Sequence, residues 1–153
     1  PKMNMLSTIY SVSYAAGGSV PNVGIDLARI DRELKIDAVG RVGNDEDGRY
    51  LTDALRKCGI DVSGVLPSDT AGTSFTDVMT LRDTGERTFF HKRGANAAFS
   101  PADIDLDALS CDIFHIGYIL LLPALDAEDP EYGTKMARLL HRVQKRKMYR
   151  TTE

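Results

Sequence analysis

The sequence predicts an α/β fold carrying a small β hairpin, and three observations point to it. Helical and strand-like segments alternate from residue 21 to residue 65. Two β-rich runs joined by a tight turn then interrupt the alternation. An apolar run and an amphipathic stretch follow them toward the end of the chain. Alternation of this kind is the pattern of a parallel sheet covered by helices.

Ser11-Val12-Ser13-Tyr14 alternates polar and apolar and predicts a strand or strand edge. Ala15-Ala16-Gly17-Gly18 is a turn signal, and Pro21 then sits where a first helical turn tolerates a missing N–H. Val23, Leu27, Ile30 and Leu34 follow at helical spacing. Residues 36–43 predict a short strand ending in glycine. Asn44-Asp45-Glu46-Asp47-Gly48 predicts a turn and a helix start, because carboxylates suit the positive end of a helix dipole. Tyr50, Leu51, Ala54 and Leu55 continue that helix until Gly59, and residues 60–65 predict a strand or extended link.

Residues 73–82 and 87–93 predict two strands joined by Asp83-Thr84-Gly85-Glu86, a hairpin-type turn. A hairpin inside an alternating chain suggests a small subdomain flanking the main sheet. Ser100 is a candidate helix cap before Pro101. Residues 112–122 predict the most apolar strand. Residues 131–144 predict a helix with Met136, Leu139, Leu140 and Val143 on one side. A sheet of this order should continue strand after helix, so the expectation is a sheet incomplete at both ends.

Composition narrows the function classes. The 153 residues are 42% hydrophobic and 27% charged, with a net charge of −3. That size allows one domain with its own core. The absence of a basic surplus argues against nucleic acid as partner. The longest apolar run, residues 116–122, is too short to span a membrane, and residues 1–10 lack the order of a secretory signal. Cys58 and Cys111 are read as reduced thiols, and the expected location is cytoplasmic.

The residues with most chemical content begin at Gly17-Gly18. Such a pair lets the backbone approach a ligand and adopt positive φ, and the following helix points N–H groups back at that spot. Asn22 adds a donor and an acceptor for a hydroxylated ligand. Taken alone, the pair fits an ordinary strand-to-helix turn better, because Gly-Gly turns are common. His91 and His115 stand apart from other ligand types and are read as packed or surface residues. Asp103, Asp105 and Asp107 lack the glycine and glutamate of a calcium loop. The basic stretch Arg142, Lys145, Arg146, Lys147 and Arg150 reads as a solvated helix end.

Several blocks in sequence carry a resemblance. Gly17-Gly18 with Pro21-Asn22 and Leu27-Ala28-Arg29 comes first, then Val39-Gly40-Arg41-Val42-Gly43-Asn44-Asp45 with Gly48. Gly59-Ile60-Asp61-Val62-Ser63, Thr70-Ala71-Gly72-Thr73, Gly85-Glu86-Arg87 and Arg93-Gly94-Ala95-Asn96-Ala97 follow. In this order they resemble the N-terminal part of ribokinase-like, PfkB-type carbohydrate kinases, from about residue 17 to residue 144. Val20, Gly24 and Asp31 depart from the family pattern, which bears on the identity of the sugar.

The resemblance implies a partial ribokinase-like three-layer fold, with the hairpin of about residues 73–93 as its lid. It implies that Gly17, Gly18 and Asn22 contact sugar hydroxyls and that Gly43 and Asp45 form the neighbouring loop. Arg93 and Asn96, at the end of the lid, would reach the substrate. A lid excludes water, so that a phosphoryl group passes to the sugar and is not hydrolysed.

The full family also carries a Gly-Ala-Gly-Asp turn whose N–H groups stabilise the transferred phosphoryl group and whose Asp is the base. These 153 residues contain no such turn; Asp69-Thr70-Ala71-Gly72 only begins like an associated motif. Residues 1–153 are therefore expected to be the N-terminal part of a kinase domain, without its nucleotide-binding half. ATP and Mg²⁺ are expected of the full-length family and neither of this chain alone. The expected ligand is a small sugar or a nucleoside, phosphorylated in the parent enzyme, with this chain inactive by itself. Two alternatives are a sugar-binding or lid-dimerising module without catalysis, and a truncated reading frame, to which the tail of residues 147–153 points.

Overall fold

A computed structural model describes residues 6–150, with side chains to Lys145; the tail of residues 147–153 thus lies outside the described side chains. The chain runs through α1 (Ser19–Ile30), β1 (Asp37–Gly43), α2 (Glu46–Lys57) and β2 (Asp61–Ser68). The hairpin β3 (Phe75–Thr80) and β4 (Arg87–Lys92) follows, then two 3₁₀ turns at Gly94–Ala98 and Pro101–Asp103. The single helical turn α3 (Pro123–Asp126), a minimal pair β5 (Glu128–Asp129) and β6 (Gly133–Thr134), and α4 (Lys135–Arg150) complete it.

Strand β1 pairs with β2 in parallel, from Asp37 opposite Asp61 to Gly43 opposite Ser68, with one register shift between Asp37 and Val39. Helix α2 forms the crossover. Successive side chains of a strand point to opposite faces, and β1 uses both. Ala38 joins Leu55 and Ile60 in a core completed by Ile25 and Ala28 of α1 and Leu51 of α2. Val39 packs instead against a second core of Phe99, Ile104, Leu106, Leu125, Met136, Leu139 and Val143. The result is three layers: α1 and α2, the parallel pair, and the 3₁₀–α3–α4 layer. The two cysteines are free thiols. Among the described residues no helix is long and apolar enough to cross a membrane.

Strands β3 and β4 pair antiparallel, from Phe75 opposite Lys92 to Thr80 opposite Arg87. The expected turn closes through Leu81 N–H to Glu86 O at 2.8 Å and Gly85 N–H to Leu81 O at 2.8 Å. Every residue of both strands is exposed.

Four expectations are corrected. Residues 11–14 form no strand and lie exposed, because nothing described runs beside them to complete a ladder. Residues 112–122 form no strand either. Phe114 and Ile116 do turn inward toward the second core, whereas Ile113 is 84% exposed. Beyond them, Tyr118 at φ 63° and Leu120 at φ 70° leave the extended region. An apolar run specifies burial, but a strand also needs a neighbour for its backbone groups.

The α1 face is the third correction. Leu27 and Ile30, expected inward, are 42% and 80% exposed. Pro21 and Gly24 are buried in their place, and a β-carbon on Gly24 would stand 3.2 Å from Ile60 Cδ1. Small residues let the helix lie close to the sheet, so they take the inner face. The fourth is α4, which begins at Lys135 and not at 131. Asp129 holds Glu131 and Tyr132 in a turn through their N–H groups, at 3.1 and 2.9 Å. Leu140 is exposed, while Met136, Leu139 and Val143 are buried as expected.

Candidate functional site

The residues singled out in the sequence fall into two places. The first is the entry to α1. Gly18 caps the helix at φ 101° and ψ 170°, a conformation essentially confined to glycine. Its carbonyl accepts from Asn22 N–H at 3.1 Å. No side chain caps this helix, and its first turn holds no acidic residue. The N–H groups of the first turn therefore form a positive end with neither a side-chain cap nor a first-turn acid. Gly17 faces open space, and the Asn22 side chain is exposed. Ser19 Oγ lies 3.1 Å from His115 Nε2.

The second place is a junction around Thr73. Asp45 caps α2, accepting from Gly48 N–H at 2.9 Å. The same carboxylate accepts from Thr73 N–H at 2.8 Å and from the Thr73 hydroxyl at 2.5 Å. Thr73 Oγ1 accepts in turn from Gly43 N–H at 2.8 Å. These bonds, led by the Thr73 hydroxyl, hold the Asp45 pKa below the usual carboxylate value. Gly43 is buried, and a β-carbon there would overlap Asp45 Oδ2 and Thr73 N and stand 2.7 Å from Gly72 C. The turn after the hairpin hooks onto the same backbone: Ala95 N–H donates to Gly72 O at 2.8 Å. Gly94, at φ 50°, has Thr73 C and Ser74 N 2.9 Å from where a β-carbon would be.

Gly43 and Asp45 thus meet through Thr73, and the turn bearing Arg93 and Asn96 joins them through Gly72. Arg93 is exposed at the head of that turn, and Asn96 is half-buried within it. Among the described residues no hydrogen bond connects Gly17, Gly18 or Asn22 to this junction. Neither the Thr73 junction nor the Ser19–His115 contact was legible in the sequence. The contacts span 28 and 96 positions, and no local motif marks them.

Two ion pairs brace the surrounding frame. Arg41 of β1 binds Asp103 through Nη2 at 2.5 Å and Nε at 3.1 Å, which lowers the Asp103 pKa. Asp103 also accepts from Ser100 N–H at 2.8 Å, so the expected Ser100 cap is present as a reciprocal box. Arg138 of α4 holds Asp129 at 2.5 and 2.9 Å and brings its pKa down to about 2. Among the described residues no group of three His, Cys, Asp or Glu side chains could hold a metal ion. A surface hollow of about 500 Å³, lined by Arg29, Arg32 and Lys57, opens at the C-terminal ends of α1 and α2 and contains none of the singled-out residues.

The pattern of the pfkB family carbohydrate kinases matches residues 3–151. The chain belongs to that family. Among relatives of this pfkB-family chain, Probable fructokinase-3 of Arabidopsis thaliana is 35% identical over 111 residues, covering 71% of this chain and 31% of its own length. The ribokinase structure from Thermotoga maritima matches with a TM-score of 0.62 at 25% identity, covering 71% of this chain and 35% of that one. A sugar kinase of Pyrococcus horikoshii in complex with ATP matches at TM-score 0.51 and 25% identity, covering 60% and 29%. The chain spans about a third of the length of these proteins. The family match carries with it the ribokinase-like fold.

Proposed function

We propose that this chain is the sugar-holding part of an ATP-dependent kinase for a hydroxyl of a small sugar, and that alone it transfers no phosphoryl group. The observation that most supports this is the α1 entry. Gly17 is open, Gly18 takes a glycine-only conformation, the first-turn N–H groups lack a side-chain cap, and Asn22 is exposed beside them. Neutral hydroxyls suit such a set of donors and acceptors. D-Fructose is the first sugar to test, given the fructokinase relatives. Ribose and nucleosides offer similar hydroxyl chemistry and belong in the same panel.

Gly43 and Asp45 serve as the neighbouring loop, held by Thr73, and Arg93 and Asn96 approach the substrate from the end of the lid. In the family reaction a general base takes the proton of the attacked hydroxyl while donors stabilise the moving charge. The residues here supply binding and orientation. The reading assigns ATP and Mg²⁺ to other parts of the family fold. Free Cys58 and Cys111 fit a cytoplasmic protein.

Calorimetry with a sugar panel, with and without ATP, tests this reading. Binding of fructose or another small sugar without nucleotide is expected. In a coupled assay, no sugar-dependent ATP consumption is expected, and robust turnover by the purified chain contradicts the reading. A second role is supported by the hairpin. Phe75, Val78, Met79, Phe89 and Phe90 are all exposed on β3 and β4, which suits a homodimer formed through the lid. Sedimentation of the chain with Phe89→Ser and Phe90→Ser should then show only monomer.

A further inference from the structure

Ser19 and His115 are 96 residues apart and lie 3.1 Å from each other, Oγ to Nε2. His115 is exposed and Ser19 partly so. A neutral hydrogen bond in contact with water contributes little to stability, so core satisfaction does not account for the pair. Two further observations bear on it. Gly117 presses its backbone against the serine: a β-carbon at 117 would overlap Ser19 Oγ and stand 3.5 Å from His115 Nε2. In addition, Ser19 and Asn22 are separated by three positions in α1, so their side chains share one helix face.

We propose that Ser19 is a further contact for a substrate hydroxyl, and that His115 is the positioning residue that sets the direction of the Ser19 O–H. The chemistry is direct. With Nε2 unprotonated, the imidazole accepts from Ser19 O–H, and the serine oxygen then presents its lone pairs as acceptors. One hydroxyl of a sugar donates to Ser19 Oγ while a neighbouring hydroxyl meets the Asn22 amide. The ligand class is a neutral polyol with adjacent hydroxyls. This inference rests on the reading of Gly17, Gly18 and Asn22 as the sugar turn.

The test is a double-mutant cycle on the full chain, read as the Kd for D-fructose and D-ribose. Ser19→Ala should weaken binding about fivefold to tenfold, the size of one neutral hydrogen bond. His115→Ala should weaken it to a similar or smaller extent, and the double variant no more than Ser19→Ala alone. His115→Gln, which keeps an acceptor near the Nε2 position, should recover most of the loss. Thermal midpoints should stay together across the set, separating this role from a structural one. Additive losses, or unchanged affinity in Ser19→Ala while Asn22→Ala still loses binding, overturn the inference and leave the sugar turn standing. If the unaltered chain binds neither sugar, the inference and the reading beneath it both fall.

Discussion

Helices α1 and α2 both begin just after a turn that contains glycine, yet their first turns are opposites. At α2 the cap is Asp45, its carboxylate is engaged by Gly48 and Thr73, and Glu46 and Asp47 add negative charge. The protein neutralises that positive end itself. At α1 the cap is Gly18, with no side-chain bond and no acid in the first turn. A side-chain cap is worth about 1 kcal/mol, and α1 forgoes it. The saturated entry ties β1, α2 and the base of the hairpin into one unit, and the open entry is left without a side-chain cap.

The largest effect should come from breaking the saturated side. Gly94→Ala places a β-carbon against the Gly72 carbonyl at a residue of φ 50°. Overpacking and strain together should cost at least about 3 kcal/mol, measured by urea unfolding. An ordinary surface-sized loss there contradicts the junction.

Next in size is Asp45→Ala, which removes a cap and both Thr73 bonds and should cost about 2–3 kcal/mol. It also has a pH signature. The Thr73 hydroxyl, then the N–H groups of Thr73 and Gly48, hold the folded pKa of Asp45 below its ordinary 3.8. Its stabilisation is therefore fully present above pH 3.8 and fades as the pH falls through the lower folded value. Thermal midpoints between pH 2 and 5 should fall less steeply in Asp45→Asn than in the unaltered chain.

The smallest effect sharpens the other side. Val20→Glu gives α1 the first-turn acid that α2 already has. It should raise stability by about 0.5 kcal/mol and weaken sugar binding. Stronger sugar binding in that variant would break the contrast.

Sequence reading recovered the elements whose signals are local. Asn44-Asp45-Glu46 marks the α2 entry, and Asp83–Glu86 marks the hairpin turn; both stand in the structure at these positions. It failed where a partner far along the chain decides. Residues 112–122 read as a strand from their apolarity, but pairing depends on a neighbour. The α1 face read from Leu27 and Ile30 lost to Gly24 and Ala28, because packing distance to Ile60 and Ile36 outweighed side-chain size. Of the candidate site residues, Gly17, Gly18 and Asn22 were legible as a motif. Thr73 as the residue joining Gly43 to Asp45 was not, since it depends on a contact across 28 positions.

The central claim is that the open entry, not the saturated one, meets the sugar. Amide NMR of the labelled chain titrated with D-fructose tests it most directly. The account predicts saturable shifts at Gly17, Gly18, Ser19 and Asn22 and little change at Gly43, Gly48 and Thr73. Shifts confined to the Thr73 junction, or none at the α1 entry with any small sugar, would contradict it.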